Sequence, residues 1–511
     1  MRNPDEGMSD RGGSAAVPWD AELPASAQPT FDEMYPTLAA LRPHAPRLVA
    51  DYEHALELAR CFRREFIDRH ALSIDRRIMA DPTYVAEDAI REGARHGLFG
   101  MMVPKVLGGM GMPFGAMAVA MEELGAGCLG ISNLLGVHGL ALSTIAATGD
   151  LAKMEEVARR LVETERQGRP ALLSTAITEP GAGTDVEDAE LLRTARLGCE
   201  ARPVRGGYRL EGRKVFISNG SIAQTHVVIA PTDRSRPVET TFAFLVETGT
   251  KGSSVGRVER KMGQKACPAA ELVFDRCFVP EDRRLRSQPL HARGVELVLG
   301  ATRGGVGAWG AAAARGAYER ALAYARTHKV GGRWLVDQQW AQMRLADMHR
   351  NVMLARAAYV EALVSNQLFG LASLTGTRAQ EVARHLPRGV LESSAARRLV
   401  TSRAVRRGAR RAVDGLERRK VDVSCAYGAA AKVSATDLGM ANCHLALDLM
   451  GTCGLRHDRG MEKLYRDAKL LQIYEGTNQL NRLELFKKAV DDRPEPPRLG
   501  HPARRVPVAA E

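Results

Sequence analysis

A single carboxylate near the C-terminal end of the chain has neighbours that suit acid–base chemistry. Glu475 stands between an aromatic residue and a glycine, and a hydroxyl and two amides follow it within four residues, up to Gln479. A carboxylate in such a run can act as a base while its neighbours hydrogen-bond a polar cofactor. The run therefore predicts a site for proton transfer.

A turn in the middle of the chain has the composition of a ligand-binding loop. The run from Thr178 to Asp185 combines two glycines and a proline with two hydroxyls. Such a turn brings backbone N–H groups close to a ligand, and the hydroxyls can add hydrogen bonds. By itself the run is also typical of an ordinary turn at the end of a strand.

An aromatic ring and a hydroxyl lie close together in the run from Lys214 to Gly220. Phe216 and Ser218 are two residues apart, so a strand would place both side chains on one face. A ring can stack on a flat cofactor, and a hydroxyl can donate a hydrogen bond to it. Alone, the pattern is more typical of a core phenylalanine and a surface serine.

Three segments of different character must position these residues. Residues 39–170 show helical spacing, residues 171–288 contain short β-branched runs separated by Gly, Asn and Pro, and residues 289–490 are helical again. Segregated helices and strands are typical of an α+β protein. We predict an N-terminal helical domain, a middle antiparallel β-barrel or sandwich, and a C-terminal helical bundle.

Both ends of the chain have the composition of disordered segments. Residues 1–38 are rich in Pro, Ala, Ser, Gly and acids, without the basic start and apolar stretch of a signal peptide. We expect a disordered leader there, a flexible tail at 491–511 and a cytoplasmic protein. We also expect no membrane span, on the interpretation that no run of about 18 uncharged apolar residues occurs.

The eight cysteines are scattered along the sequence. They form no CxxC pair and stand at no metal-ligand spacing from a histidine, so we predict reduced thiols packed as small apolar residues, and no metal site.

Positive charge is concentrated in one window. Residues 376–420 contain twelve arginines and one lysine against four acids, a net charge of +9. Apolar residues from Ala396 to Val413 follow a helical period, with most arginines on the other side, which predicts a basic amphipathic helix. Such a helix is either a solvated face or a patch for an acidic partner: an acyl carrier protein, a CoA phosphate, a membrane surface or nucleic acid.

Together these motifs resemble the acyl-CoA dehydrogenase family, in the family's order and over about residues 40–490. The run from Tyr465 to Gln479 is similar to the family's C-terminal signature, the run from Thr178 to Asp185 to its first signature, and the run from Lys261 to Pro280 to the end of its β domain. The resemblance implies FAD as cofactor and an acyl-CoA as substrate.

The resemblance also implies a role for each residue. Glu475 would be the catalytic base that removes the α-proton of the thioester. The residues implied to contact FAD are Ile177, Thr178, Gly183, Thr184, Phe216, Ser218, His328, Thr477 and Gln479. The residues implied to contact the substrate are Thr184, Arg303, Tyr474 and Gly476.

The chain departs from the family where the resemblance would place the adenosine end of FAD. His328 stands where the family usually has Arg, Gly331 where it has Phe, and Asp448 where many members have Gln. An aspartate beside a pyrophosphate is unfavourable unless a cation compensates. A further departure is an insert at about 371–423, which contains the arginine-rich window.

The implied reaction is α,β-dehydrogenation of an acyl-CoA to the trans-2-enoyl-CoA, with an electron-transfer flavoprotein as acceptor and a homodimer or homotetramer as the assembly. Three alternatives stay open: the same chemistry on an acyl-carrier-protein thioester docked by the insert, an oxidase, and a DNA-binding relative of the family. Against DNA binding, the insert has few aromatic residues for base stacking.

Overall fold

The computed structural model describes residues 28–285, 290–375, 386–391, 393–400 and 402–491. Helices, then sheets, then helices follow one another along the chain, so the predicted α+β class is confirmed. The leader up to residue 27 and the tail from residue 492 lie outside the described residues. The first helices are α1 (Phe31–Met34), α2 (Pro36–Ala39), α3 (Pro46–Phe62), α4 (Asp68–Ala80), α5 (Glu87–Arg95), α6 (Phe114–Gly127), α7 (Leu129–Gly136), α8 (His138–Ala147) and α9 (Leu151–Arg166).

Residues 31–38 were predicted to belong to the disordered leader, and the structure corrects this. Thr30 and Glu33 form a capping box that starts α1, in which each side chain accepts a hydrogen bond from the other's backbone N–H. Tyr35 and Leu38 are at most 2% exposed, and the Tyr35 hydroxyl donates to Glu122 over 3.0 Å. Burial of these apolar groups orders the segment against α6.

The segment Leu129–Ala147 corrects the interpretation that no apolar run of about 18 residues occurs. This segment is long and apolar enough to cross a membrane, with a mean hydropathy of 1.4. However, 78% of this window is buried inside the protein, and the segment is divided into α7 and α8 near Val137. It therefore has the character of a core segment of the N-terminal helices.

Two sheets form the middle region. The strands are β1 (Leu173–Ala176), β2 (Glu200–Val204), β3 (Gly207–Ser218), β4 (Thr225–Pro231), β5 (Thr241–Glu247), β6 (Ser253–Val258) and β7 (Ala269–Pro280), with the short helices α10 (Ala189–Leu192) and α11 (Pro237–Thr240) between them. One sheet has the order β1-β4-β5 and the other the order β2-β3-β7-β6. All neighbours pair antiparallel except β1 and β4, which are parallel, so the antiparallel prediction holds for all but this pair.

Strand β3 is one bulged strand, although residues 208–210 and 214–217 have the pattern of two separate strands. Its pairing with β7 shifts between Lys214 and Ile217, because an advance of three residues along β3 is matched by only two along β7. Phe216 lies in this bulge with φ of 58°. The argument that alternation alone places Phe216 and Ser218 on one face is therefore wrong, since the bulge interrupts the alternation.

The C-terminal helices explain the abundance of Ala and Gly in the sequence. They are α12 (Leu290–Thr327), α13 (Gln339–Phe369), α14 (Arg388–Leu391), α15 (Ser394–Val400), α16 (Arg403–Asp414), α17 (Arg418–Met450), α18 (Met461–Leu471) and α19 (Asn478–Leu485), and a hairpin of β8 (Lys329–Val330) and β9 (Arg333–Trp334) follows α12. Helices α12 and α17 pack backbone against backbone: a Cβ added at Gly310 would lie 2.5 Å from the Ala435 carbonyl carbon. Side chains larger than glycine would force these helices apart.

The insert folds into three short helices, α14 to α16, and residues 376–385 lie outside the described part. The predicted single amphipathic helix is in fact α15 and α16, separated because Ser402 caps α16 by accepting a hydrogen bond from the Val405 N–H. The insert packs on the N-terminal helices: Gly149 approaches the Arg410 Cα, and Val413 joins a small apolar cluster with Val298 of α12.

Candidate active site

Glu475 lies in a tight turn between α18 and α19. It has φ of 54° and Gly476 has φ of 75°, both in the left-handed region. Such a conformation costs a non-glycine residue on the order of 1–3 kcal/mol and persists only when the surroundings impose it. Here the surroundings are α19, whose first turn is capped by the Thr477 hydroxyl, which accepts from the Leu480 N–H.

The backbone of this turn is held from two sides. Lys432 of α17 donates from Nζ to the Gly476 carbonyl over 2.6 Å and to Asn478 Oδ1 over 2.7 Å. The Asn481 side-chain amide lies 3.2 Å from the Glu475 carbonyl oxygen and 2.9 Å from that of Gly476. These contacts satisfy the buried carbonyls that the turn leaves outside helical bonding.

Among the described residues, the carboxylate of Glu475 has one direct hydrogen-bond donor. Thr302 Oγ1 lies 2.8 Å from Glu475 Oε2 and 3.0 Å from the Val298 carbonyl oxygen of its own helix. A hydroxyl has one proton, and the charged acceptor is the stronger. Burial raises the pKa of Glu475, and the Thr302 hydrogen bond together with the positive charges of Arg303 and Lys432 opposes the rise. A raised pKa suits a base that works near neutral pH.

Arg303 lies beside the Glu475 backbone and is fully buried. Its Nε is 3.4 Å from the Glu475 carbonyl oxygen, its Nη2 is 3.4 Å from Glu187 Oε2, and its Nη1 is 3.9 Å from Glu484 Oε1. This burial excludes a solvated surface role for Arg303. Its role toward a substrate stays a prediction, while its structural role is to neutralise the acids around the turn.

Glu187 is one of the residues at this site that the sequence predictions missed, together with Thr302 and Lys432. It ends the 3-10 turn Thr184–Glu187, and a Cβ added at Gly476 would lie 2.6 Å from its Oε2. Burial raises its pKa to about 7; Arg303 opposes this rise and the charge of Glu475 adds to it. The sequence contained a signal for Glu187, since this residue lies just after the glycine-rich turn. However, Gly476, against which its carboxylate packs, is 289 positions away in sequence.

The start of the glycine-rich turn lies between the end of β1 in the first sheet and strand β3 of the second. The Ile177 carbonyl accepts from Lys214 Nζ over 2.9 Å, and the Thr178 carbonyl accepts from the Val215 N–H. A Cβ added at Gly183 would meet no atom within 4 Å, so the backbone beside Thr184 borders open space. A ligand could approach this backbone closely.

Phe216 is the exposed aromatic ring of the site. Its side chain is 59% exposed although its backbone is strained, while Ser218 is half-buried and pairs across the sheet with Ala269. A bulky residue held at positive φ with an exposed ring points to function, because folding alone gains nothing from it. Thr477 and the exposed Gln479 lie at the start of α19. An exposed ring, a hydroxyl and an amide fit a flat, polar aromatic cofactor.

Tyr474 connects the base turn to the β region. Its ring meets Trp309 edge to face at 6.2 Å, and its hydroxyl lies 3.3 Å from Gln264 Nε2. Gln264 also donates from Nε2 to the Asp467 carbonyl, and its backbone N–H donates to the Asp467 carboxylate. The run from Lys261 to Cys267, predicted to be structural, thus fixes the sheets against α18 beside the base.

The residues predicted at the adenosine end lie apart from this network. The His328 ring stacks on Tyr324 at 3.7 Å, and its Nδ1 lies 3.0 Å from the Tyr324 carbonyl oxygen. Gly331 turns the β8–β9 hairpin with φ of 61°, and Asp448 is exposed. Contacts with FAD at this end stay a prediction.

One further residue cluster and one cavity lie outside this site. Ligand atoms of Cys61, Glu65 and His96 lie within 4.8 Å of one another, which the cysteine spacing did not predict. Glu65 accepts from the Cys61 thiol over 3.1 Å and lies 3.3 Å from His96 Nε2, so the three already satisfy one another without an ion. A surface cavity of about 180 Å³ near Met79 and Lys265 is lined by none of the predicted site residues.

Comparisons with known proteins give one consistent family along most of the chain. Models of one family match three stretches: the acyl-CoA dehydrogenase N-terminal domain over 51–165, the middle domain over 174–277, and the C-terminal domain over 295–370 and 369–489. The chain is 28% identical over 446 residues to acryloyl-CoA reductase (NADH) of Anaerotignum propionicum, covering 87% of this chain and 95% of the relative. It is 28% identical over 433 residues to the short-chain-specific acyl-CoA dehydrogenase of Clostridium acetobutylicum, covering 84% and 97%.

Solved structures give the same result. Butyryl-CoA dehydrogenase from Megasphaera elsdenii superposes with a TM-score of 0.67 at 25% identity, over 86% of this chain and 97% of that one. A chain in the structure of the electron transferring flavoprotein of Acidaminococcus fermentans superposes with a TM-score of 0.66 at 25% identity, over 86% and 98%.

Proposed function

The chain belongs to the acyl-CoA dehydrogenase family of FAD-dependent oxidoreductases, and from this premise we propose that it oxidises an acyl-CoA to the trans-2-enoyl-CoA with Glu475 as the base. The observation that carries the proposal is the strained turn that presents a half-buried carboxylate, bonded by Thr302, beside the glycine-rich turn. Family membership alone supports the cofactor and the substrate class, and the turn supports the base.

Proton abstraction is the step that this chain's residues explain best. The α-proton of a thioester is weakly acidic, so the base must be desolvated and held in place. Burial desolvates Glu475, and Thr302 orients its Oε2. Once protonated, the carboxyl is neutral, and Arg303 still faces the acids Glu187 and Glu484.

Charge that develops on the thioester oxygen needs a hydrogen-bond donor. In the described residues the Glu475 backbone N–H donates to no protein acceptor. A fixed N–H next to the base is a suitable donor to an enolate oxygen. We assign this group to the thioester carbonyl.

FAD, when bound, supplies the acceptor for the hydride from the substrate β-carbon. Phe216 would stack on the ring system, and Ser218, Thr477 and Gln479 would hydrogen-bond its polar edge. The open backbone at Gly183 and Thr184 would lie between cofactor and substrate. These assignments rest on exposure, strain and proximity to the base turn.

Two finer points belong to the same proposal. The natural electron acceptor is an electron-transfer flavoprotein, supported by the likeness to a chain in the A. fermentans structure.

The assembly is a homodimer or homotetramer, supported by exposed apolar side chains along α13, among them Trp340, Met343 and Met353 at 47–66% exposure. Light scattering that gives a monomer at micromolar concentration would overturn the assembly.

The decisive test uses purified, flavin-loaded protein without oxygen. Addition of acyl-CoAs of graded chain length and branching should bleach the flavin absorbance with at least one of them, and the product should be the enoyl-CoA. No bleaching with any acyl-CoA would overturn the reaction. Stoichiometric peroxide from the reduced protein in air, with no electron transfer to a flavoprotein acceptor, would instead identify an oxidase.

A further inference from the structure

The outer face of helix α16 carries arginines that form no ion pair with a carboxylate of the described residues. Arg403, Arg407 and Arg411 follow one another at intervals of four residues and are exposed. Residues at this spacing lie on one side of a helix. In the part of the chain that the structure describes, none of the three guanidinium groups forms an ion pair. A solvated surface normally mixes both signs of charge, so this row is unusual.

A row of small residues beside the arginines allows close approach. Ala404, Gly408 and Ala412 stand one position after each arginine and are also exposed. Small residues beside a basic row let the backbone of a partner helix come near while its acids reach the arginines. A lipid surface would favour larger apolar side chains in this position, and nucleic acid would favour aromatic ones.

The position of the helix connects this face to the reaction. The opposite side of α16 packs through Val413 into a cluster with Val298 and Ala301 of α12. Ala301 directly precedes Thr302, the donor to Glu475, and Val298 lies one turn earlier. A protein held on the outer face of α16 is therefore separated from the helix segment that contacts the base by about one helix diameter, roughly 10–12 Å.

We infer that the outer face of α16 is a docking surface for an acidic carrier protein that presents the acyl group as a thioester. The inference rests on the proposed function, since it names the form in which the substrate arrives. Charge complementarity of this kind mainly accelerates association, and the acceleration falls as salt rises. The same residue 475 then works on either thioester.

The test compares one acyl group on two carriers. Flavin-loaded protein is assayed with an acyl-CoA and with the same acyl group on a bacterial acyl carrier protein, for wild type and for R403Q/R407Q/R411Q. We expect kcat/KM for the carrier-protein thioester to fall about tenfold at low salt, with kcat and the acyl-CoA reaction unchanged. The triple lysine variant, which keeps the charge, should retain most of the activity, and neutralising the exposed Arg69, Arg76 and Arg209 should have no effect.

Several outcomes would overturn the docking surface while the proposed function stands. One is turnover of acyl-CoA without any turnover of the carrier-protein thioester. Another is a loss in the glutamine variant that is as large for the acyl-CoA as for the carrier-protein thioester, which would show that the arginines do not recognise the carrier protein. A third is arginine-dependent retention on phosphatidylglycerol vesicles or duplex DNA with no change in carrier-protein kinetics. Failure of both thioesters to reduce the flavin would overturn the proposed function itself.

Discussion

Thr302 donates a hydrogen bond to Glu475 across 173 positions of sequence, with 2.8 Å between Oγ1 and Oε2. One residue belongs to the long helix α12 and the other to the turn after α18, so the packing of the C-terminal helices sets the geometry of the base. The bond favours the ionised carboxylate, in opposition to burial, which favours the neutral one. The balance between the two sets the pH at which the base is charged.

The variant Thr302→Val should shift the acid side of the activity profile toward higher pH. Loss of the donor raises the pKa of Glu475 further, so less of the base is ionised at acid pH. A hydrogen bond to a charged group contributes on the order of 1.5 kcal/mol, so kcat/KM near pH 6 should fall about tenfold. Thr302→Ser, which keeps the hydroxyl, should resemble wild type, and an unshifted profile in the valine variant would show that the bond does not act on the base.

Replacement of Glu187 by Gln should change how stability depends on pH. Its pKa is raised to about 7 in the folded protein, so between pH 4.5 and 7 the folded state binds more protons than the unfolded state. The contribution of Glu187 to the free energy of unfolding therefore falls as pH rises through this window. Relative to wild type, Glu187→Gln should gain about 1–3 kcal/mol between pH 5 and pH 8 in urea unfolding. Glu190→Gln, an exposed control on the neighbouring helix, should gain nothing, and an equal change in both variants would contradict the assignment.

Lys432→Met should weaken the turn rather than the chemistry directly. The change leaves Asn478 Oδ1 without its buried donor and takes one of two donors from the Gly476 carbonyl, which keeps the Asn481 amide. An unsatisfied buried acceptor costs about 1–3 kcal/mol, so the midpoint of thermal unfolding should fall and kcat should decrease. Calorimetry and steady-state kinetics on the same preparation check both effects. Lys432→Arg should recover part of each, and unchanged stability in Lys432→Met would show that the lysine does not hold the turn.

Phe216→Gly should have opposite effects on stability and on cofactor binding. Glycine relieves the left-handed strain, so the flavin-free protein should gain about 1 kcal/mol or more of unfolding free energy. Loss of the ring should weaken binding of FAD at least severalfold, measured by fluorescence titration. Phe216→Trp keeps a ring and should bind FAD as well as wild type. If the glycine variant binds FAD normally, Phe216 does not stack on it.

The sequence predicted the parts of the fold that depend on local pattern. Helical spacing, short β-branched runs and the glycine-rich turn between them were sufficient for the α+β class and for the order of the motifs. The bulge at Phe216 was missed because alternation shows only the regular strand, and a bulge depends on the register with β7. The break between α15 and α16 depends on one cap at Ser402, which a helical period of arginines conceals.

At the site, too, the sequence predicted residues that lie close together along the chain and missed those that only packing brings together. Glu475 could be found because its neighbours in sequence are also its neighbours in the turn. Glu187 and Lys432 could not, because they reach the turn from the glycine-rich loop and from α17, and only the packed structure shows the contact. Thr302 was likewise hidden, although its neighbour Arg303 was selected as a substrate residue and proved to be a buried partner of the turn.

The measurement that tests the account most directly is anaerobic flavin reduction in Glu475→Gln. The glutamine keeps the size and the hydrogen-bonding capacity of the side chain but cannot accept the α-proton. With an acyl-CoA that bleaches the wild-type flavin, the variant should bind the substrate and FAD normally and reduce the flavin about 10² to 10⁴ times more slowly. Bleaching at a rate close to that of wild type would contradict the assignment of Glu475 as the base.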